Sequence, residues 1–277
     1  MRELTLPSGN TIPVLGLGTW RMGERPNRAA QEEDAIRAAL DMGVRLIDTA
    51  EMYGEGGAEE LIGKAIRGRR DGLFLVSKFY PQNASRDGVI RACERSLRRM
   101  DCDLIDCYLL HWPGSIPLEE TFDGLHELMH RGWIRDFGVS NFDLDDLNRI
   151  PRREQKQLGC NQVFYNLAHR EAEWVVNDWC RQRGVPVMAY SPLDQAGSML
   201  GTPPLDEIAG RHGATPAQIA LAWLLQRENT VVIPKSAQVS RIRENLGALD
   251  IELDPQDLAD LDRGFAPPRR AVRLGMR

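Results

Sequence analysis

The 277-residue chain contains no apolar run approaching the roughly 20 residues that a helix needs to cross a bilayer. Its opening, Met1-Arg2-Glu3-Leu4-Thr5, is charged and lacks the apolar core of a secretion signal. Neither membrane insertion nor export is expected, and the cytoplasm is the expected compartment. No cationic stripe is present either. Basic residues are scattered apart from short clusters such as Arg67, Arg69 and Arg70, and the formal net charge is -5, so nucleic acid is not an expected partner. Cys93, Cys102, Cys107, Cys160 and Cys180 are odd in number and never in CxxC spacing, which points to reduced core thiols rather than a disulfide framework.

What the chain does contain is ordinary globular material, 42% hydrophobic and 27% charged, in a length that an α/β barrel fills as one unit. Residues 1–277 are expected to form a single domain. Residues 4–14 alternate in polarity around Pro7-Ser8-Gly9-Asn10 and read as a β-hairpin. Eight short apolar runs follow, at residues 14–18, 44–47, 73–76, 104–110, 134–139, 161–164, 185–189 and 231–233. Near-continuous Val, Ile and Leu suits strands buried on both faces, hence parallel pairing. Helical patterns lie between them, such as Asn27 before Asp34, Ile36, Ala39 and Leu40, and Leu118, Phe122, Leu125 and Met129.

The polar residues that end successive runs, Thr19, Asp48, Lys78, His111 and Ser140, recur at steps of 29, 30, 33 and 29 residues. Eight such strand–helix units favour a closed (β/α)8 barrel of the TIM type. A doubly wound sheet should carry GxGxxG at its first turn, whereas Gly16-Leu17-Gly18-Thr19-Trp20-Arg21 has Arg at the last required glycine. In a barrel the strand ends share one mouth, so Asp48, Lys78 and His111 become neighbours, and Tyr53, five residues past Asp48, can fold over them. Carbonyl reduction needs a hydride for carbon and a proton for oxygen. A tyrosine supplies the proton if a nearby lysine lowers its pKa from about 10, an aspartate holds the lysine, and a histidine orients the carbonyl.

Gly16-Leu17-Gly18-Thr19-Trp20, Asp48-Thr49-Ala50-Glu51-Met52-Tyr53, Val76-Ser77-Lys78, Leu110-His111-Trp112-Pro113, Gly138-Val139-Ser140-Asn141-Phe142 and Ile233-Pro234-Lys235-Ser236 resemble the motifs of aldo-keto reductases, in family order. The likeness runs from about residue 4 to about residue 263. The segment from Glu51 to Glu59 and the compact loop after His111 are most similar to bacterial small-aldehyde reductases of the methylglyoxal type. This resemblance implies a catalytic tetrad of Asp48, Tyr53, Lys78 and His111, with Tyr53 as proton donor. It implies NADPH or NADP+ as cofactor, preferred over NADH. Thr19 would be among the cofactor contacts; the nicotinamide would meet Ser140, Asn141, Gln162 and Tyr190, and the pyrophosphate Ser191 and Leu193. The 2′-phosphate would meet Lys235, Ser236 and Arg241, and the adenine Glu244 and Asn245. Asp194 then stands, against expectation, beside a phosphate.

Trp20 and Trp112 are expected to line an apolar substrate mouth. The tail, residues 264–277, is too short for a long specificity loop, so the expected substrates are small or aromatic aldehydes and dicarbonyls such as methylglyoxal. An NADPH-binding sensor subunit with little turnover is the alternative reading, and a monomer is expected without a signal against larger assemblies. His126-Glu127-Leu128-Met129-His130 satisfies the HExxH zinc pattern, but it falls on a helix that packs outside the sheet and lacks a third ligand nearby, so no metal is expected. Tyr-x-x-x-Lys, the pair a short-chain dehydrogenase needs, occurs nowhere.

Overall fold

A computed structural model describes residues 1–276; Arg277, the last residue of the expected tail, lies outside the described residues, as do the side chains of Ala196 and Ser198. The chain opens with an antiparallel pair, β1 (Glu3–Thr5) and β2 (Thr11–Pro13), in which Leu4 faces Ile12. The main body alternates strand and helix: β3 (Leu17–Gly18), α1 (Ala29–Asp41), β4 (Leu46–Asp48), α2 (Gly57–Ala65), β5 (Phe74–Phe79), α3 (Arg86–Met100), β6 (Ile105–Leu110) and α4 (Leu118–His130). It continues with β7 (Ile134–Ser140), α5 (Leu144–Arg149), β8 (Leu158–Phe164), α6 (Val176–Arg181), β9 (Val187–Tyr190), α7 (Pro203–His212), α8 (Pro216–Leu225), β10 (Thr230–Val232), α9 (Val239–Leu246) and α10 (Pro255–Gly264).

Strands β3 to β10 pair in sequence order and in parallel. The sheet curls until its edges meet: Leu15 bridges Val232, Gly18 bridges Lys235, and the Gly16 amide donates to the Val232 carbonyl at 2.9 Å. Eight parallel strands closed in this way agree with the (β/α)8 barrel expected from the sequence.

The near-continuous apolar runs now have their physical reason. Leu46, Phe74, Val76, Cys107, Leu109, Cys160, Met188 and Val231 form one buried cluster inside the curl. Their alternates Ile47, Leu75, Tyr108 and Val163 join a second cluster beneath the helices. Leu6 and Ile12 belong to the inner cluster, so the hairpin plugs the end of the sheet opposite the mouth, helped by the Asn10 amide donating to Asp136 at 2.8 Å.

Some boundaries move. Asn27 does not start α1; it sits in a 3₁₀ turn, and the helix begins two residues later without a side-chain cap. All five cysteines are free, four of them buried. In α4, His126 sits 3.3 Å from Glu154 and edge-on to Phe137, while His130 is exposed. Among the described residues no helix is long and apolar enough to cross a membrane. The tail folds back on the body, with Leu274 packed on the outer cluster, Gly275 against the Phe164 ring and Arg273 paired with Asp143 at 3.4 Å.

Candidate active site

The two-residue period of the strands decides which side chains reach the interior. Leu46, Val76, Leu109, Cys160 and Met188 point inward, and the next residue in phase on each strand is Asp48, Lys78, His111, Gln162 and Tyr190 respectively. Apolar residues fill the lower layers, and polar ones stand at the mouth.

Beyond β4 the chain keeps pairing with β5, the Thr49 amide donating to the Val76 carbonyl at 2.9 Å and the Glu51 amide to the Lys78 carbonyl at 3.0 Å. A turn closed by the Tyr53 amide on the Ala50 carbonyl then carries the phenol back over Lys78. Gly23, at φ 74°, lets the loop after β3 touch the backbone of Gly57 just beyond; a Cβ there would lie 2.3 Å from the Gly57 carbonyl carbon.

The result is a buried polar centre. Lys78 Nζ, fully buried, donates to Asp48 Oδ1 and Oδ2 at 2.8 and 2.9 Å, to the Thr49 carbonyl at 2.8 Å and to the Tyr53 hydroxyl at 3.3 Å. Gln162 donates to Asp48 Oδ1 at 2.7 Å. Burial pushes the Asp48 carboxyl upward against the pull of Lys78. Burial works on Lys78 in the opposite sense, yet Asp48 and Tyr53 together hold its pKa above the usual lysine value, so the ammonium stays charged. For Tyr53 the sequence-based expectation is corrected. Lys78 does lower the phenol's pKa, but burial outweighs it and the pKa lies above 10.0, leaving Tyr53 a neutral phenol that carries its proton.

His111 stands edge-on to Tyr53, their rings 6.0 Å apart. Burial, then Lys78, drives its pKa down to about 2, so the imidazole is neutral, and its Nδ1 is buried with no hydrogen-bond partner among the described residues.

These groups floor a cavity of about 490 Å³. Its wall takes in Asp48, Tyr53 and His111, then Ser140, Asn141, Gln162 and Tyr190, then Ser191 and Leu193, and finally Lys235, Ser236, Arg241, Glu244 and Asn245. Asn141, in the left-handed region at φ 61°, turns its amide to donate to the His111 carbonyl at 3.0 Å and to accept from the Tyr190 hydroxyl at 2.9 Å. Tyr190 in turn stacks on Phe164, 5.6 Å between centroids. Arg241 is exposed and donates to Glu244 at 2.9 Å.

Two of the expected site residues do not belong to the cavity wall. Thr19 is fully buried, its hydroxyl donating to the Asp48 carbonyl at 3.0 Å and so supporting the strand end. Trp112, half-buried, packs against His111 and Tyr80, whereas Trp20 lines the wall. Asp194 is explained as well: it is buried and turned toward His169, 3.6 Å away, while Leu193 and Gln195 face the cavity. Sequence reasoning missed Arg21 and Gln195, both wall residues. Each reaches the cavity through a left-handed backbone, φ 62° and 53°, which no side-chain pattern announces.

Residues 14–264 match the Aldo/keto reductase family. The chain belongs to that family. Similar members include methylglyoxal reductase YeaE of Escherichia coli K12, 42% identical with 96% of this chain and 95% of that protein covered. Glyoxal reductase of Bacillus subtilis 168 is 35% identical, covering 93% and 90%. An aldo/keto reductase from Klebsiella pneumoniae, solved with NADP and acetate, superimposes with a TM-score of 0.96 at 44% identity and 99% coverage of both chains. A Klebsiella pneumoniae aldo-keto reductase solved with NADPH gives a TM-score of 0.95 at 44% identity, covering 100% of both chains. Within this family fold, the present chain builds its polar centre from β4, β5 and β6 and the loop after β4.

Proposed function

We propose that this aldo/keto reductase reduces small or aromatic aldehydes and dicarbonyls to alcohols with NADPH, Tyr53 being the proton donor. The observation that carries the reading is the Tyr53 hydroxyl, 3.3 Å from the buried Lys78–Asp48 pair, in the same cavity as Lys235, Ser236 and Arg241. The residues fit such a cofactor: an aromatic ring, Tyr190, borders the tetrad, and two cations stand at or near the start of α9, where helix amides favour a phosphate. NADP- and NADPH-bound relatives and the methylglyoxal and glyoxal reductases point the same way.

When bound, the nicotinamide supplies the hydride that adds to the carbonyl carbon. Tyr53 gives its proton to the carbonyl oxygen, and Lys78, anchored by Asp48, steadies the phenolate left behind. Neutral His111 donates a hydrogen bond to that oxygen and orients it. Ser140, Asn141 and Gln162 would hold the carboxamide, Tyr190 the ring, Ser191 and Leu193 the pyrophosphate, Lys235, Ser236 and Arg241 the 2′-phosphate, and Glu244 and Asn245 the adenine. Trp20, with the Arg21 guanidinium 4.2 Å over its ring, walls the substrate side. Residues 1–277 act as one domain, a cytoplasmic monomer.

Oxidation of NADPH, followed by absorbance with a panel of aliphatic, aromatic and dicarbonyl substrates, tests the reading. Turnover is expected with several of them; tight NADPH binding without turnover on any would identify a nucleotide-sensing subunit instead. Arg241→Ala should weaken NADPH by about 10- to 100-fold, the loss of one charge-assisted contact, and leave NADH within about twofold. Equal losses for both nucleotides, measured by fluorescence titration, would remove Arg241 from the 2′-phosphate site.

A further inference from the structure

Glu51 lies two residues before Tyr53, buried, and outside the cavity wall that Met52 and Tyr53 join. Its carboxylate is fully engaged. Oε1 accepts from the Tyr80 backbone amide and from the Asn83 side chain, both at 2.8 Å, and Oε2 accepts from Arg95 at 3.2 Å. Its own amide donates to the Lys78 carbonyl at 3.0 Å. One side chain thus ties the segment between Asp48 and Tyr53 to the end of β5, to the turn after it and to α3.

The contacts continue around the mouth. The Tyr80 ring meets Trp112 edge-on at 5.7 Å, Trp112 leans on His111 at 4.9 Å, and His111 returns to Tyr53 at 6.0 Å. Tyr53, Glu51, Tyr80, Trp112 and His111 form a closed circuit in which Glu51 is the hydrogen-bonded link and the others meet through rings.

We propose that Glu51 is a positioning residue: its buried carboxylate fixes the height and tilt of Tyr53 over Lys78 and, through Tyr80 and Trp112, the seat of His111. The proposal rests on the reading of Tyr53 as proton donor. Glu51 acts here by place and not by field. The charges that act on the Tyr53 phenol are those of Lys78 and Asp48, and the Glu51 charge bears instead on Tyr80 and Tyr108. The acceptor oxygen matters more than the charge, since Arg95 is half-exposed and can turn to solvent while the Tyr80 amide is held in place by the backbone.

The test compares Glu51→Ala, Glu51→Gln, Tyr53→Phe and the Glu51→Ala/Tyr53→Phe double variant by kcat, carbonyl KM, NADPH Kd and Tm. Glu51→Ala should lower kcat by about 100-fold, as a misplacement on the order of 1 Å does, with NADPH Kd within about threefold. Glu51→Gln keeps the oxygen facing Tyr80 and Asn83 and should stay within about threefold of the wild-type kcat. In the Tyr53→Phe background Glu51→Ala should cost nothing further, because there is no hydroxyl left to place. A near-wild-type kcat for Glu51→Ala, equal losses in kcat and NADPH affinity, or a Gln variant as impaired as Ala would each overturn the proposal. If Glu51→Ala does not fold, Asn83→Ala, which removes one donor to the same oxygen, should lower kcat by about tenfold, and an unchanged kcat there overturns it equally. Full turnover by Tyr53→Phe would instead strike down the proton-donor reading itself, a separate failure.

Discussion

Tyr53→Phe should lose about 10²- to 10⁴-fold in kcat while binding NADPH as tightly as the wild type. The prediction follows from what the hydroxyl touches. Its contact with Lys78 Nζ, at 3.3 Å, is the longest of the four that the ammonium makes, and the other three hold Lys78 without it. Removing the oxygen costs about 1 kcal/mol of stability at most, and the ring still fills its space against His111. What disappears is the proton that Tyr53 is proposed to give to the carbonyl oxygen. Steady-state kinetics beside a nucleotide titration read the two effects separately. Wild-type kcat in the variant would sink the proposed role of Tyr53.

Lys78→Met should affect both chemistry and stability, and the stability effect should depend on pH. Met matches the length of the lysine stem but leaves the Asp48 carboxylate, 2% exposed, with the Gln162 amide as its one remaining side-chain donor among the described residues. Breaking a buried pair in this manner costs about 3–5 kcal/mol when the remaining charge stays ionised. In the wild type, burial raises the Asp48 pKa and Lys78 opposes it, so removing Lys78 lets it climb further. The sign follows. A carboxyl whose folded pKa lies above its unfolded value of about 3.9 contributes most to stability when protonated, and that contribution is lost as pH rises through the folded pKa. Urea melts from pH 4 to pH 8 should therefore show the gap between wild type and variant smallest at pH 4 and widening upward. Asp48→Asn added to Lys78→Met should close most of the gap at pH 8. A gap independent of pH, unaffected by Asp48→Asn, would mean that Asp48 bears no charge in the folded variant.

The two variants also differ in how they should fail. Tyr53→Phe removes the proposed proton donor from an intact frame, whereas Lys78→Met leaves the phenol but takes away both its neighbouring cation and the partner of Asp48. Loss of turnover with an unchanged melting curve belongs to the first, and loss of both to the second.

Much of this site was legible in the chain because strand geometry repeats every two residues. Once eight apolar runs are read as strands buried on both faces, the first polar residue past each inward series must stand at the shared mouth, which brings Asp48, Lys78 and His111 together. Thr19 lies off that series because it is in phase with Leu17, which belongs to the outer cluster, and its hydroxyl is taken by the Asp48 carbonyl. Trp112 escaped it because it follows His111 by one residue and so falls on the other side, against Tyr80.

The amino-acid sequence by itself determined the alternation of strand and helix, the inward phase of the strand-end residues and the reach of Tyr53 toward them, since all three depend on local spacing. The tertiary structure alone decided the rest. Whether Leu15 meets Val232 is a matter of curvature summed over eight strands. Whether Arg21 and Gln195 face the cavity while Asp194 turns to His169 is settled by single backbone angles in loops. Whether the Tyr53 phenol lies above or below its ordinary pKa is settled by the balance of burial against one ammonium 3.3 Å away, and both of those quantities exist only when the sheet has closed around them.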